Sequence, residues 1–421
     1  MNPNLVVAAL AALPVLLLPV ILNAETRDVS PRDPLTLEAA VELALDAEEP
    51  TLRRLEARAE AIEHQAVADA QLPDPSVTSR LVNVPTDTLA FDQADMTQFQ
   101  VGLRQEFPPG RTLALRGRRL EEQANAERAR LLLEARQIAL ETREAWLELA
   151  YRTRAMAIIA DSRRSVAQQI DSLAARFATG GLNAQAVLRA ELELSLLDDS
   201  LTEHQREAEL ARATLARYVG EYASAPLPQG WPDLEEPPAL ARLVADLAEH
   251  PAVAAESAEI EAAAVGIELA EQAYKPALAL EGSYGIRDDR PDFATLGVTL
   301  SLPLFTDKRQ DRRRLAAVRQ RGAELLDRDA TLLDLKRRLD QAWADWRYFR
   351  QRVDLYQTAV AERAKETADA SVTTYANGQT DFAELIRSQL AELEIALKLA
   401  ELKARQGQAW ARLMYLAGES S

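Results

Sequence analysis

The chain consists of two copies of one structural plan. Residues 36–221 and 237–419 contain matching short segments in the same order, separated by offsets of 195 to 201 residues. The matched pairs include Pro50 and Pro251, Gly102 and Gly297, Gly180 and Gly378, and Leu215 and Leu413. A repeat this long indicates a structural unit that is used twice, so each predicted element should occur once in either half.

The distribution of proline predicts very long helices. No proline occurs between Pro109 and Pro226 or after Pro303. Because proline breaks helix interiors, its absence permits continuous helices over residues 111–176 and 306–375. A helix of about 66 residues would be ~99 Å long. Apolar residues within these stretches recur at spacings of seven or four, which is typical of coiled-coil packing.

Each long helix is predicted to end at a turn and to return as a second helix. The two turns lie at residues 177–183 and 375–381. Gly180 and Gly378 suit a left-handed C-terminal cap, and Asn183 and Asp381 suit the N-cap of the next helix. Each half therefore contains a long helical hairpin with a tip.

The segments between the helices change to a period of two, which indicates β-strands. Strands are predicted at residues 76–84, 98–107, 277–286 and 295–302, the first of them by its match to the third. In the second strand Phe99, Val101 and Leu103 share one face, whereas the other face is polar and contains Gly102. The strand length and the single apolar face favour a transmembrane β-barrel. A soluble β-layer packed on helices is the alternative.

Four strands cannot enclose a pore, because unpaired strand edges are not tolerated in lipid and single-chain barrels need at least ~8 strands. The strands must therefore close with other copies of the chain, and the helices must follow the same symmetry axis. The predicted fold is mainly α with a small transmembrane β portion, in which a β-barrel continues into an α-helical barrel. Such an assembly is a conduit.

The first residues are expected to be removed. Residues 5–22 are apolar and are followed by charged positions, which predicts a signal peptide at 1–24 and an N-terminal extension at 25–35. A membrane anchor is the alternative, although Pro14 and Pro19 favour a cleaved segment. Residues 222–236 form a Pro-rich linker between the halves, expected to lie beside the helices as an irregular belt.

Composition excludes several classes of function. The net charge of −17 argues against nucleic acid as a partner. The chain has no Cys and only three His, so neither a disulfide nor a thiolate or imidazole metal site is expected. No phosphate-binding loop, HExxH motif or pairing of nucleophile with base is present, so we expect neither enzyme activity nor a cofactor.

Four motifs carry a resemblance to a known family. The segments VGLRQEFPPGRT and LGVTLSLPLFTDKR follow the strands, and RFATGGLNAQAVLRAE and TYANGQTDFAELIRSQ form the turns. Together they resemble the TolC-type outer membrane efflux proteins, over about residues 35–419. The stretch from Leu72 to Arg111 is most similar to the heavy-metal-cation, CzcC-like branch.

The resemblance implies a homotrimer in the outer membrane of a Gram-negative bacterium, with a twelve-stranded barrel and a twelve-helix periplasmic tunnel. It also implies that a periplasmic adaptor and an inner-membrane pump dock at the tunnel tip. The chain would then be a passive exit duct, with heavy-metal cations as one class of cargo. A periplasmic adaptor and a pore-less structural coiled-coil protein are the rival interpretations.

The resemblance places an adaptor-contacting surface at the two tips. Its expected residues are Gly180, Gly181, Leu182, Asn183, Gly378, Gln379, Thr380 and Asp381. Helix capping alone is the alternative role for these residues. One turn beyond the tip, Glu384, Arg387 and Arg189 are expected to form the aperture. We expect Glu384 to pair with Arg387 or Arg189 across neighbouring helices and hold the tip shut.

A basic cluster opens the long helices below the strands. It comprises Arg111, Arg116, Lys308, Arg309 and Arg312. Cations at a helix N-terminus oppose the macrodipole, so helix stability does not explain them. Attraction to lipid phosphates at the inner leaflet would do so. The alternative is a solvated face whose cations pair with Glu121 and Glu122.

Overall fold

The computed structural model describes residues 33–46, 49–178 and 184–417. The expected signal peptide at 1–24 and most of the N-terminal extension lie outside the described residues. So do four of the expected tip residues, Gly180, Gly181, Leu182 and Asn183.

The described residues of each half form the same series of elements. The first half comprises α1 (Leu37–Leu45), α2 (Pro50–Asp69), β1 (Ser76–Val82), β2 (Gln98–Phe107), α3 (Thr112–Ala178) and α4 (Ala184–Val219). The second comprises α5 (Leu240–Asp246), α6 (Pro251–Gln272), β3 (Ala277–Ile286), β4 (Phe293–Ser301), α7 (Gln310–Leu355), α8 (Ala361–Ala376) and α9 (Phe382–Leu416). The expectation of a mainly helical fold with a small β portion is therefore confirmed.

The two long helices differ in regularity. Helix α3 runs for 67 residues, which corresponds to ~100 Å. The expectation of one regular helix over 306–375 is wrong, because the helix begins at Gln310 and contains a π-helical turn at Tyr356–Val360 between α7 and α8. A π-turn inserts a residue without needing Gly or Pro, and the segment YQTAV contains neither.

The four strands form one antiparallel sheet in the order β1-β2-β3-β4. The central pairing, β2 with β3, joins the two halves and sets Phe99 opposite Ile286. Strand β1 ends at Val82, shorter than the expected 76–84, because Asn83 has a left-handed φ of 54°. Strand β4 begins at Phe293, which pairs with Gly285, two residues before the expected start. The helices α2, α3, α6 and α7 all attach at one end of the sheet.

Helix α3 is the central support of the chain and packs against α2, α4, α6 and α9. Trp146 of α3 is 1% exposed, and its indole N–H donates to the carbonyl of Leu35 at 2.9 Å. Helix α9 approaches α3 at Gly407, where an added Cβ would lie 2.8 Å from a methyl carbon of Leu147. Only glycine permits this approach without displacement of Leu147.

Among residues 33–46, 49–178 and 184–417, no helix combines the length and the apolar character needed to cross a bilayer.

Candidate functional site

One face of the sheet is apolar and uncovered. Leu296 is 92% exposed, Val77 71% and Val298 70%. The strand register brings these side chains together with further apolar residues, and we call the set the apolar sheet face. Its members are Val77, Leu81, Phe99, Val101, Leu103, Leu278, Leu280, Tyr284, Ile286, Leu296, Val298 and Leu300. A contiguous exposed patch of this kind marks a surface that meets lipid or another protein.

The opposite face of the sheet is polar. Gln98 is 7% exposed, and the Gln100 side-chain amide donates to the Ser283 hydroxyl at 2.8 Å. Arg80 lies 3.7 Å from Glu281, so charged groups from β1 and β3 meet on this face. We call it the polar sheet face, and it comprises Thr78, Arg80, Gln98, Gln100, Gly102, Arg104, Glu281, Ser283, Thr295, Gly297 and Thr299. The burial pattern is thus inverted relative to a soluble sheet, whose apolar side is covered.

Close packing on the polar sheet face depends on Gly102. A Cβ at this position would lie 2.8 Å from the Thr78 hydroxyl and 3.3 Å from Cβ of Ser283. The neighbouring polar side chains therefore lean over the Gly102 backbone and form a layer against the sheet.

The first connection from sheet to helix, between β2 and α3, packs against α6. Arg111 lies 3.3 Å from Glu268, and Arg118 lies 3.5 Å from the same carboxylate. The Arg111 backbone N–H donates to the side-chain carbonyl of Gln272 at 3.2 Å. The alternative expectation, that Glu121 and Glu122 pair with the cations here, is wrong for Arg111 and Arg118. Their partners come from α6, which sequence spacing could not indicate.

The second connection from sheet to helix, between β4 and α7, is exposed. Leu304 is 72% exposed and Phe305 is 81% exposed. Lys308, Arg309 and Arg312 follow them and are exposed, as is Arg116 on α3. The structure therefore separates the expected basic cluster into a part that is paired with α6 and a part that faces outward.

The described tip has the expected cap geometry. Gly378 has a φ of +69°, and its N–H donates to the carbonyl of Tyr375 at 3.0 Å. The Asp381 carboxylate accepts the backbone N–H of Glu384 at 2.9 Å and so caps α9. Gln379 and Thr380 lie between these two residues. Capping therefore explains the geometry of Gly378 and Asp381 within one chain.

The ion pair expected at the aperture lies within one helix. Arg387 pairs with Glu384 three residues earlier on α9, and the two side chains are 72% and 47% exposed. Pairing between neighbouring helices of an assembly stays a prediction. Among the described residues no ion pair joins Arg189 to Glu384. The α8–α9 contact here is instead made by the buried hydroxyls of Ser371 and Ser388, 2.7 Å apart.

Two helical faces carry uncovered leucines that the sequence interpretation did not single out. On α4, Leu188, Leu192 and Leu196 recur every four residues and are more than half exposed. On α7, Leu326 and Leu333 are 70% and 73% exposed. The spacing on α4 was a visible signal, because apolar residues at i and i+4 share one helix face. Both faces remain unpartnered in one copy of the chain.

Comparisons with known proteins agree with this geometry. Residues 243–419 match the family model described as outer membrane efflux protein. No curated protein sequence is significantly similar to the chain.

Solved structures share the fold over most of the chain. A membrane protein from Pseudomonas aeruginosa is similar with a TM-score of 0.80 and 19% identity, covering 91% of this chain and 90% of that one. The outer membrane protein VceC from Vibrio cholerae is similar with a TM-score of 0.76 and 18% identity, covering 91% and 96%. The open state of the Neisseria gonorrhoeae MtrE outer membrane channel is similar with a TM-score of 0.74 and 16% identity, covering 90% of this chain and 88% of that one. The similarity is to membrane channels and efflux proteins rather than to enzymes.

Proposed function

We propose that the chain is a TolC-type outer membrane efflux protein and that three copies of it form a passive exit duct. Residues 243–419 match the family model, and the fold is shared over 91% of the chain, which supports this proposal. It resides in the outer membrane of a Gram-negative bacterium, with a large helical part in the periplasm. The duct would conduct substrates that another protein drives.

The inverted sheet is the observation that carries this proposal. The apolar sheet face is uncovered, whereas the polar sheet face holds Arg80, Glu281 and a layer of amides and hydroxyls. In a transmembrane barrel the apolar side meets lipid and the polar side meets a water-filled lumen. A soluble sheet would bury the apolar side instead, at ~25 cal/mol per Å².

The proposed trimer follows from the edges of the sheet. Strands β1 and β4 each pair on one side only in a single chain. Unpaired edges cost several kcal/mol per backbone group in lipid, so β4 of one copy must pair with β1 of the next. Three copies would supply twelve strands. The uncovered leucines of α4 and α7 are suited to contacts between the helical parts of neighbouring copies.

The partners proposed for the helical end are a periplasmic adaptor and an inner-membrane pump. The tips carry the proposed adaptor contacts, formed by Gly180, Gly181, Leu182, Asn183, Gly378, Gln379, Thr380 and Asp381. The aperture is proposed to involve Glu384, Arg387 and Arg189. Since Arg387 is 72% exposed and Glu384 is 47% exposed on α9, both are accessible to a neighbouring copy across the proposed tunnel axis.

Heavy-metal cations are the proposed cargo, on the basis of the CzcC-like stretch between Leu72 and Arg111. Deleting the protein should then sensitise its host to divalent cations such as Zn²⁺, Co²⁺ or Cd²⁺, measured as minimal inhibitory concentrations. Sensitivity to hydrophobic drugs with unchanged metal tolerance would contradict the proposed cargo but not the duct.

The duct itself is tested by the mass and the conductance of the purified protein. We expect a detergent-dependent particle with three chains that opens channels in planar bilayers. Extraction into buffer without detergent, as a particle that does not conduct, would support a structural coiled-coil protein instead.

A further inference from the structure

We propose that the connection between β4 and α7 binds anionic phospholipid headgroups at the periplasmic leaflet of the outer membrane. We call this surface the β4–α7 collar. It comprises Leu304, Phe305, Lys308, Arg309, Arg312 and Arg313. The proposal rests on the proposed function in one respect, namely that the apolar sheet face lies in the membrane.

The collar continues the apolar sheet face. Strand β4 ends at Ser301, immediately after Leu300 of that face. Leu304 and Phe305 follow within a few residues and are 72% and 81% exposed. Because no described part of the chain covers these side chains, they extend the apolar surface to the end of the sheet where the helices attach. Exposed Leu and Phe beside cations are typical of segments that lie in a membrane interface.

The cations of the collar make no ion pair among the described residues. They lie at the N-terminus of α7, where positive charge opposes the helix macrodipole. The neighbouring Arg314 is neutralised by Glu271 at 3.0 Å, and Asp311 accepts the Tyr274 hydroxyl at 2.5 Å. Within the described part of the chain, no carboxylate lies within salt-bridge distance of Lys308, Arg309, Arg312 or Arg313. Their charges are therefore accessible to an anionic partner outside the chain.

The position of the collar selects the kind of partner. All four sheet-attached helices leave from this end, whereas the loops joining β1 to β2 and β3 to β4 lie at the other end. The collar therefore lies where the apolar sheet face stops and where lipid headgroups begin. Residues 304–314 contain five cations and two carboxylates, although the whole chain has a net charge of −17. A local positive surface at this height complements an anionic headgroup.

The first half of the chain provides an internal comparison. Its equivalent connection is folded onto α6, with Arg111 held by Glu268 and by Gln272. Gly110 permits this fold with a φ of +56°. Arg111 of the first connection is thus paired with a carboxylate, whereas Lys308, Arg309 and Arg312 of the second have no such partner among the described residues. The two equivalent connections therefore differ, because the first packs against α6 and the second is exposed.

The test counts lipids retained by the intact trimer. The wild-type protein and the variant Lys308→Gln/Arg309→Gln/Arg312→Gln/Arg313→Gln are purified from an equimolar mixture of phosphatidylglycerol and phosphatidylethanolamine and analysed by native mass spectrometry. We expect the wild type to retain phosphatidylglycerol preferentially and the variant to lose this preference by on the order of tenfold or more. Each cation near an anionic surface strengthens binding roughly fivefold.

A matched control removes four cations elsewhere. Arg163, Arg164, Arg206 and Arg212 have carboxylate partners on α3 or α4, so their joint change to Gln alters the net charge equally. The control should keep the preference, as should the paired-cation variant Arg111→Gln. If the collar variant does not fold, raising ammonium acetate from about 0.05 to 0.5 M must still weaken phosphatidylglycerol retention by the wild type.

Three outcomes would overturn the proposal: unchanged retention by the collar variant, equal retention of both lipids by the wild type, or dissociation of the variant into single chains that keep the preference. The last outcome would assign the cations to contacts between copies. Single-channel conductance is recorded separately, because a collar variant that conducts but has lost its lipid leaves the duct function intact.

Discussion

Glu49 and His250 occupy the same position in the two halves and cap the equivalent helices α2 and α6. The Glu49 carboxylate accepts the backbone N–H groups of Thr51 at 2.5 Å and Leu52 at 3.0 Å. His250 Nδ1 accepts the N–H of Ala252 at 3.3 Å, and its Nε2 lies 3.2 Å from the carbonyl of Tyr415. Both residues are buried, at 8% and 1% exposure. The helix cap is therefore present in both halves, with a carboxylate in the first half and an imidazole in the second.

The His250 cap predicts a loss of stability in mild acid. Burial is the largest cause that lowers the pKa of His250, the nearby Arg136 and Arg338 lower it as well, and the bond to the Tyr415 carbonyl opposes them, so that the pKa is about 4. The unfolded chain therefore binds this proton below pH ~6.5, whereas the folded chain does not until about pH 4. Stability should be lost as the pH falls through this window, by up to about 3 kcal/mol per chain.

The predicted loss of stability on protonation of His250 is checked by thermal unfolding of the detergent-solubilised protein between pH 7.5 and pH 4. His250→Asn keeps a capping side chain without the titration, so its unfolding midpoint should depend less on pH than that of the wild type. The exposed His64→Asn serves as the control. An equal slope for the wild type and His250→Asn would contradict the assignment.

The Glu49 cap predicts a second window at lower pH. Burial raises the pKa of Glu49, but the bonds from Arg217, Leu52 and Thr51 outweigh it and hold the pKa below its usual value. The stabilisation is therefore complete above pH ~4.5 and is lost as the pH falls through the lowered pKa. Glu49→Ala should cost about 1–2 kcal/mol in free energy of unfolding at pH 7, most of it from the cap, because Arg217 is 54% exposed.

Glu49→Asp is the matched control, because it shortens the side chain but keeps a capping carboxylate. It should retain most of the stability in the same denaturation assay. If Glu49→Ala were as stable as the wild type, the cap would not contribute to folding.

Two helical glycines should respond in opposite directions to alanine. Gly407→Ala places a methyl group 2.8 Å from Leu147 and should destabilise the chain by about 1–3 kcal/mol. Gly322→Ala on α7 meets nothing within 4 Å and should stabilise by about 0.5–1 kcal/mol. Thermal unfolding of the two variants side by side measures the difference. Equal midpoints would contradict the close approach of α3 and α9.

The aperture proposal predicts an effect on conductance without an effect on stability. Because the Glu384–Arg387 pair is exposed and lies within one helix turn, Arg387→Ala should change the free energy of unfolding by less than about 0.5 kcal/mol. If Arg387 also contacts a neighbouring copy at a closed tip, the same variant should raise the closed-state current in planar bilayers. An unchanged closed-state current would reject the gating role.

Much of this architecture could be inferred from local patterns. Alternation predicts strands at 98–107 and 277–286, and β2 and β3 have these bounds. The limits of β1 and β4 differ because they depend on the left-handed Asn83 and on pairing with Gly285, which alternation does not encode. Local sequence also identified the Gly378 cap, because a turn glycine is itself the signal.

Contacts between distant segments could not be predicted in the same way. Arg111 and Glu268 are separated by more than one hundred residues, so spacing suggested the nearer Glu121 and Glu122 instead. The π-turn at Tyr356–Val360 contains neither Gly nor Pro, so the sequence carries no signal that predicts it. Glu49 and His250 appeared in the sequence only as residues before matched prolines, and their capping bonds became visible from the fold.

The most direct test of the duct uses the absence of Cys from the chain. Single Cys substitutions are placed on neighbouring residues of β4, at Thr299 on the polar sheet face and at Val298 on the apolar sheet face. Each variant is reconstituted in a planar bilayer and exposed to a charged, water-soluble methanethiosulfonate reagent. We predict that the reagent lowers the conductance of Thr299→Cys and leaves Val298→Cys unchanged. Equal modification of both variants, or the absence of any channel, would contradict a lipid-facing apolar side around a water-filled pore.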